Sequence, residues 1–592
     1  MDVRDIAGRL EEIGTLLELK GENPFKIRAY QNGARALESL EEDLDTLLAE
    51  ERLAEVNGIG KALVEKIAKL RNDEELPLYT DLRESIPDGL LEMLEIPGFG
   101  PKKIRKVHTE LGIESIEELK AACEDGRVAK LSGFGKKSVE NLLRGMENRI
   151  AYGRRHLWWD VQGVALPLLE QLRQLPEVDR AEVAGSFRRG SETVGDLDYI
   201  VGSSKPKPIM DWFVSRPNVT EVSAHGETKS SVRFEGGLQA DIRVVPDDRY
   251  VFALHHFTGS KDHNVKMRQR ALAQGLSLSE WGIFKKSDDP GDDGAKAYER
   301  PLARSDVKEE KDLFGVLGLA FIPPELREGL EELDLGEKGE LPRLVTDADL
   351  RGVFHNHTKA SDGMASLEEM ARAAREHGWD YLGIADHSKA SFQAHGLDEN
   401  RLREQLDQLR KLNQQSGDKA HLFAGCEVDI LKDGRLDFEK DLLKELDYAV
   451  LSIHVSMSGL SADEMTRRIT RALETDTGCR KMLGHPSGRL LLRREPYAFD
   501  VRKVIEAAAA NEVVIELNAN PWRMDLDWRH WRLATEKGVL CAINPDAHAT
   551  EDLAYTHCGI LAARKGALTP ERILNTRSLK DVASFFGKGG EA

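Results

Sequence analysis

The sequence predicts a multidomain α and α/β protein. It reads as helical to about residue 155, mixed α/β through the middle, and alternating strand and helix from about 346 onward. Three observations predict this. The 592 residues exceed one hydrophobic core at roughly 100–200 residues per domain. A Gly-apolar-Gly turn leading into a helix occurs three times, in VNGIGKALVEKI (56–67), IPGFGPKKIRKV (96–107) and LSGFGKKSVENL (131–142). The last part places six short apolar segments, YLGIADH, HLFAGCEVDI, YAVLSIHV, RKMLGHP, VVIELNAN and LCAINPDAH, between amphipathic stretches. Such alternation implies a parallel sheet or barrel.

Bulk composition narrows the function classes. Hydrophobic residues make up 40% and charged residues 32%, as in soluble globular chains. No apolar run reaches about 18 residues, so no membrane span is expected. The N-terminus is amphipathic and acidic, unlike a signal peptide. Five scattered cysteines without a CxxC pair point to a reducing, cytoplasmic setting. The net charge of −19 alone argues against nucleic acid, but local charge decides binding. Basic clusters occur at Lys102, Lys103, Arg105 and Lys106, at Lys136 and Lys137, and at Arg154 and Arg155, while 288–293 and 331–340 are acidic.

Along the middle, AEVAGSFRRG, DLDYIVG and LQADIRVVP alternate or run apolar as strands do. Residues 251–322 read as helical, with a polar insert at 286–312 expected as an exposed loop. Residues 321–345 read as a solvated linker containing a Pro pair.

The first chemical constellation is GDLDYIVG. Asp196 and Asp198, two apart on a strand, face the same side. Asp241 lies in a second predicted strand, QADIRVV. Three carboxylates suit two divalent ions about 3.5–4 Å apart, the arrangement for in-line phosphoryl transfer. Upstream, Ser186 and Arg189 in GSFRRG could hold phosphate oxygens, with glycines admitting backbone N–H groups. These segments, with FTGSKDHNVKMRQRAL, closely resemble the catalytic core of family X DNA polymerases. The resemblance implies that Asp196, Asp198 and Asp241 bind two Mg²⁺ or Mn²⁺ ions and that Ser186, Arg189 and Gly195 contact the incoming deoxynucleoside triphosphate. It assigns Phe257, Thr258, Gly259, Asn264 and Arg268 to sugar, base and template contacts. His256 replaces a common Tyr, and Lys261 stands where some members have Asp.

The three glycine turns, Gly58–Gly60, Gly98–Gly100 and Gly133–Gly135, look like helix-hairpin-helix motifs. They would present helix N-termini to DNA phosphates without reading sequence. Residues 1–85 resemble the small N-terminal domain of the same polymerases, which in some members removes a 5′-deoxyribose phosphate through a lysine Schiff base. Lys66 matches the nucleophile position, and Lys26 and Tyr30 match a 5′-phosphate pocket.

The third constellation sits at successive strand ends: His355, His357, Asp362, His387, Glu427, His454, His485, Asp546 and His548. Six imidazoles and three carboxylates suit Zn, Mn or Fe and can activate water for attack on phosphorus. Their order resembles the PHP (polymerase and histidinol phosphatase) superfamily. That implies a distorted (β/α)₇ barrel, a three-ion centre and 3′–5′ exonuclease activity, with small phosphoesters as the alternative substrate. Arg489 is a candidate phosphate grip.

The two resemblances divide the chain into a small helical domain (1–85), fingers (86–155), palm (156–250), thumb (251–322), linker (323–345) and PHP domain (346–592). They imply a monomer that fills gaps in primer–template DNA during repair.

Overall fold

The computed structural model describes residues 3–38, 44–56, 58–72, 76–94, 96, 99–135, 138–140, 142–143, 146, 155–285, 306–415, 420–457 and 459–587. Its contacts divide the chain into two compact units, Met1–Gly153 and Arg154–Ala592. Among the described residues, no helix is long and apolar enough to cross a membrane.

The first unit is helical. Val3–Lys20 and Pro24–Glu38 pack together through Ile6, Leu10, Ile13, Leu17, Ile27 and Tyr30, all buried. In the first turn Gly58 takes φ +99°, Ile59 enters the core, and Gly60 is the extended N-cap of helix Lys61–Arg71. Gly100 caps Pro101–Leu111 in the same way, with proline at the first helical position, where its missing N–H costs nothing. The central residues of the second and third turns, Phe99 and Phe134, meet edge to face at 6.3 Å. The tandem turns therefore share one core.

The second unit opens with a five-stranded sheet: β1 (Arg180–Val183), β2 (Asp196–Gly202), β3 (Val219–His225), β4 (Lys229–Phe234) and β5 (Gln239–Val245). The order is β1-β2-β5-β4-β3, and only β2 and β5 pair in parallel. GSFRRG is not strand: Gly185–Arg188 is one helical turn. Strands β3 and β4 are not among the expected strands. β3 is a polar, largely exposed edge, TEVSAH, whose apolar alternation is too weak to read.

The region expected to be helical also contains a hairpin, Leu276–Ser279 with Gly282–Lys285. Part of the expected exposed loop is helix Glu310–Val316, and Glu310 is buried; residues 286–305 lie outside the described set. Glu310 accepts from Arg188 Nη2 at 2.6 Å and from fully buried Arg327 Nη1 at 2.5 Å.

The expectation of a solvated linker at 321–345 is corrected. Arg327, Glu332 and Val345 are buried there, Glu332 pairs with His263 at 2.8 Å, and helix Glu332–Lys338 packs within the unit. Charges that suggested solvation are instead paired with residues elsewhere in the chain, as Arg327 is with Glu310, Glu325 with Arg564 and Glu328 with Arg189.

Seven parallel strands follow: β6 (Gly352–Val353), β7 (Tyr381–Ile384), β8 (His421–Asp429), β9 (Tyr448–Ser452), β10 (Arg480–Leu483), β11 (Val514–Asn518) and β12 (Cys541–Asn544). They pair in chain order. A bridge between Asn356 and Ala547, with His357 N–H donating to Ala547 O at 2.8 Å, brings the first strand's extension to the last. The result is the nearly closed (β/α)₇ barrel. Phe354, Tyr381, Phe423, Tyr448 and Phe586 fill its floor. Gly383 and Gly425 leave room for Tyr448: an added Cβ would lie 2.2 Å from its hydroxyl and 2.3 Å from its ring, respectively.

The buried Arg188–Glu310–Arg327 group should behave as a unit. Burial opposes ionisation of Glu310, but the two guanidiniums outweigh it and hold the carboxyl far below the usual glutamate range. Its contribution is complete above about pH 4.3 and is lost as acid protonates it below that value. Glu310→Gln should cost about 3 kcal/mol at neutral pH by leaving buried cations unpaired. The melting temperature should fall by several degrees, and the gap from the parent should close in acid. A constant gap across pH would contradict this.

Candidate functional site

The sheet brings the three aspartates together through register. Asp198 and Asp241 are direct partners on parallel β2 and β5, while Asp196 precedes Asp198 by one pleat repeat on the same face. Burial, then the Asp196 and Asp241 carboxylates, push the Asp198 carboxyl up to about 6. Burial also opposes ionisation of Asp241, but hydrogen bonds from Lys229 and Ser231 outweigh it and keep its pKa low. Lys229 Nζ lies 2.7 Å from Asp241 Oδ2. Arg243 and Lys229 offset only part of this, so Asp198 keeps a net repulsion of the kind that divalent cations relieve.

The Gly185–Arg188 turn abuts this triad. Gly185 has φ +65°, and an added Cβ would lie 3.2 Å from Asp198 Oδ2. Ser186 is the second residue of that turn, and Gly195 directly precedes Asp196. Arg189, expected at the triphosphate, instead donates Nη1 to Thr258 O at 2.6 Å and Nε to Glu328 at 3.1 Å. Phe257 stacks under Arg243 with 4.3 Å from guanidinium to ring centroid, and Asn264 donates to His256 O at 2.7 Å. Arg268 Nε reaches Asn264 O at 3.4 Å. Gly259 has φ +68°, with room for Arg189 beside it.

In the first unit, Lys66 Nζ lies 5.9 Å from the Tyr30 ring and donates to Ala62 O at 2.9 Å. Lys26 is exposed and pairs with Glu22 at 3.6 Å. Among the basic residues after the second turn, Arg105 lies against Gly21, where an added Cβ would strike its guanidinium, and Lys106 donates to Ser132 O at 2.6 Å. Lys102 is exposed, although 3.6 Å from Glu18. Gly133 has φ +86°, and Gly135 O accepts from Ser138 and Val139 N–H at the start of the third helix. Gly98, Lys136, Lys137 and Arg154 lie outside the described residues.

At the barrel mouth all nine expected ligands converge. They form four overlapping groups with metal-ligand spacing: His357, Asp362, His387 and His548; His355, Glu427 and His485; His355, His357 and Asp546; and His387, Glu427 and His454. Glu427 is the hub, with imidazole nitrogens of His485, His387, His355, His454 and His357 at 2.8, 2.9, 3.3, 3.3 and 3.7 Å. His357 Nδ1 is buried without a hydrogen bond, and the crowded imidazole nitrogens and carboxylate oxygens around Glu427 form an arrangement cations would satisfy. The donor set therefore fits a multinuclear divalent centre. His485 and Asp546 have φ +23° and +54°, and such backbone strain concentrates at functional positions.

Sequence reasoning missed the supporting groups. Glu516, fully buried on β11, accepts from His355 Nδ1 at 2.7 Å and from His485 N–H at 2.6 Å. Asp429 lies 3.3 Å from His454 Nδ1. A glutamate inside the apolar run VVIELN was the available signal for Glu516. Arg489, the candidate phosphate grip, is buried against Glu192, Asp527 and the Arg523 carbonyl. The cleft, about 460 Å³, is lined instead by Arg523, whose Nε lies 3.3 Å from Asp546 Oδ2.

Two outcomes follow for metal loading. Glu516→Ala should weaken divalent-metal binding by about 10–100-fold, since it orients two ligands; unchanged affinity in a metal titration would remove that role. Burial opposes protonation of His454 and His548, but Glu427 and Asp429 for the former, and Asp362 and Asp546 for the latter, raise both to about 9. Ligation needs neutral imidazoles, so metal binding at pH 7.5 should release protons. Calorimetry in buffers of different ionisation enthalpy should then give different apparent enthalpies.

Comparison with known proteins agrees with this geometry. Residues 354–520 match the PHP domain model and 253–328 the DNA polymerase beta thumb; 1–76 match a helix-hairpin-helix domain and 90–147 a SAM-like helix-hairpin-helix tandem. The chain is 37% identical over 592 residues to the DNA polymerase/3′–5′ exonuclease PolX of Bacillus subtilis, with 99% of each chain covered. It is 27% identical over 252 residues to a "Probable phosphatase" of Caldicellulosiruptor bescii, spanning 40% of this chain and 95% of that protein. It is 23% identical over 350 residues to DNA polymerase lambda of Rattus norvegicus, spanning 55% of this chain and 56% of that protein. The full-length likeness, with an Asp triad in one sheet and a nine-ligand cluster in one barrel, assigns the chain to the bacterial PolX family of family X DNA polymerases carrying a PHP domain.

Proposed function

We propose that the protein fills gaps in DNA during repair and trims 3′ ends, the first reaction at the Asp triad and the second at the barrel mouth. The direct pairing of Asp198 with Asp241 beside the Gly185 turn carries the polymerase reading. Asp196, Asp198 and Asp241 would hold two Mg²⁺ or Mn²⁺ ions, which lower the barrier for in-line attack and neutralise the leaving group. Ser186 and Gly195 contact the triphosphate, while Arg189 holds their turn in shape. Phe257, Gly259, Asn264 and Arg268 bound the base and sugar. Gly60, Gly100 and Gly135 present helix N-termini to DNA phosphates.

In the barrel, Glu427 and the imidazoles would hold Mn²⁺, Zn²⁺ or Fe; three ions is the number that the PHP resemblance implies, and the four overlapping ligand groups show that several ions would share ligands. These residues would thereby hold the metal that activates a water for attack on phosphorus. Arg523 orients the scissile phosphate. The full-length relative's exonuclease name and the fused polymerase half favour DNA over a small phosphoester.

A time course on gapped and primer–template DNA, with and without nucleotides in Mg²⁺ or Mn²⁺, tests both sites. Asp241→Ala should reduce synthesis by about a thousandfold or more and leave 3′ shortening intact, because several kcal/mol of metal-borne stabilisation is lost. His355→Ala should do the reverse. Phosphate release from small esters without primer shortening would replace the nuclease reading with a phosphatase.

For the N-terminal unit we propose a lyase activity in which Lys66 attacks the abasic sugar and Tyr30 shapes the pocket. Their proximity supports it. Borohydride should trap the parent protein on 5′-incised abasic DNA, and Lys66→Ala should abolish trapping; equal trapping by the variant would refute the assignment.

A further inference from the structure

The turn beside the triad is held from both sides, and one side belongs to the barrel. Residues 185–192 join β1 to β2 and contain two glycines in the left-handed region, Gly185 at φ +65° and Gly190 at φ +61°. Such a segment has wide backbone freedom unless something restrains it. On the polymerase side, Arg189 is tied to Thr258 O and Glu328. On the other, helix Thr556–Lys565 lies against it. An added Cβ at Gly190 would sit 3.3 Å from Leu561 Cβ. Lys565 Nζ donates to Arg189 O at 3.3 Å and also to Glu328. Arg489 Nη2 donates to Glu192 Oε1 at 2.5 Å. Lys565 and Arg489 are 6% and 8% exposed, so both cations are desolvated.

Desolvating a lysine and an arginine is expensive, and apolar residues of similar volume often give equal or greater stability. What a buried cation provides here is directional bonds to a segment that must keep one shape. We propose that the barrel domain positions the triphosphate-binding turn of the polymerase, with Lys565 and Arg489 as positioning residues for nucleotide addition. The inference rests on the reading of this turn as the triphosphate subsite. It makes the barrel part of the polymerase site's scaffold, independently of the barrel's own metal chemistry. Displacing a binding group by 1 Å can cost roughly 100-fold in rate, so loosening one of several ties should cost less.

The test uses the full chain with Lys565→Met and, separately, Glu192→Gln, which releases Arg489 from the polymerase side. Steady-state gap filling should show the KM for deoxynucleoside triphosphate raised about tenfold, with kcat little changed. Affinity for gapped DNA and 3′ shortening should match the parent. A variant that only destabilised the fold would lower kcat and 3′ shortening together. If Lys565→Met fails to fold, Glu192→Gln carries the test alone. Ser186→Ala is the companion. If it raises KM while the other variants do not, the turn binds triphosphate but the barrel does not position it, and the inference fails. If Ser186→Ala also leaves KM unchanged, the reading of the turn fails and takes the inference with it.

Discussion

Glu427 sits wholly buried at the centre of the barrel, within 3.7 Å of five imidazoles. A carboxylate in that position cannot remain ionised without cations around it. The imidazoles of His355, His387 and His454 are each raised above their ordinary value despite burial, because Glu427 and its neighbouring carboxylates favour their charged form. Metal ions would supply the same charge and release the protons. The seven strands are ordered so that each delivers a ligand or its support to this point, and the orientation of Glu516 beneath two of them follows from the same need. The barrel's geometry is thus the geometry of neutralising one buried acid cluster.

The Asp triad poses the same electrostatic problem with a different solution. Lys229 compensates Asp241, but Asp198 is left facing two carboxylates. The parallel pairing of β2 and β5 makes the repulsion unavoidable, because register places Asp198 beside Asp241. Asp198 therefore keeps unfavourable charge in the protein alone, whereas the barrel carboxylates are offset by their imidazoles, and a large apolar core holds both centres in place. That core runs without a break from Trp158, Phe187 and Tyr199 to the barrel residues Leu382 and Ile543.

The continuity has a structural consequence for the chain as a fusion. Trp158 meets His557 and Trp159 meets Tyr555 across the two parts. Arg564 pairs with Glu325 at 2.7 Å within the segment that sequence suggested was a solvated linker. These are contacts of a common scaffold, in which the polymerase sheet and barrel share buried surface.

Much of the chemistry was legible in the sequence because the signals are local. Strand spacing places Asp196 and Asp198 on one face, and glycine turns mark Gly58–Gly60 and Gly133–Gly135. Ligand types at successive strand ends mark all nine barrel residues. Polar edge strand β3 was illegible because its alternation is not apolar. The packed segment 321–345 was illegible because a charged residue looks the same in sequence whether water or a partner neutralises it. The roles of Arg489, Glu516 and Arg523 depend on residues distant in the chain, so local pattern could not assign them. By itself the sequence determined which candidate metal-ligand groups stand at which strand ends. Only the tertiary structure decided their neighbours, because desolvation and charge pairing depend on what packs across a core.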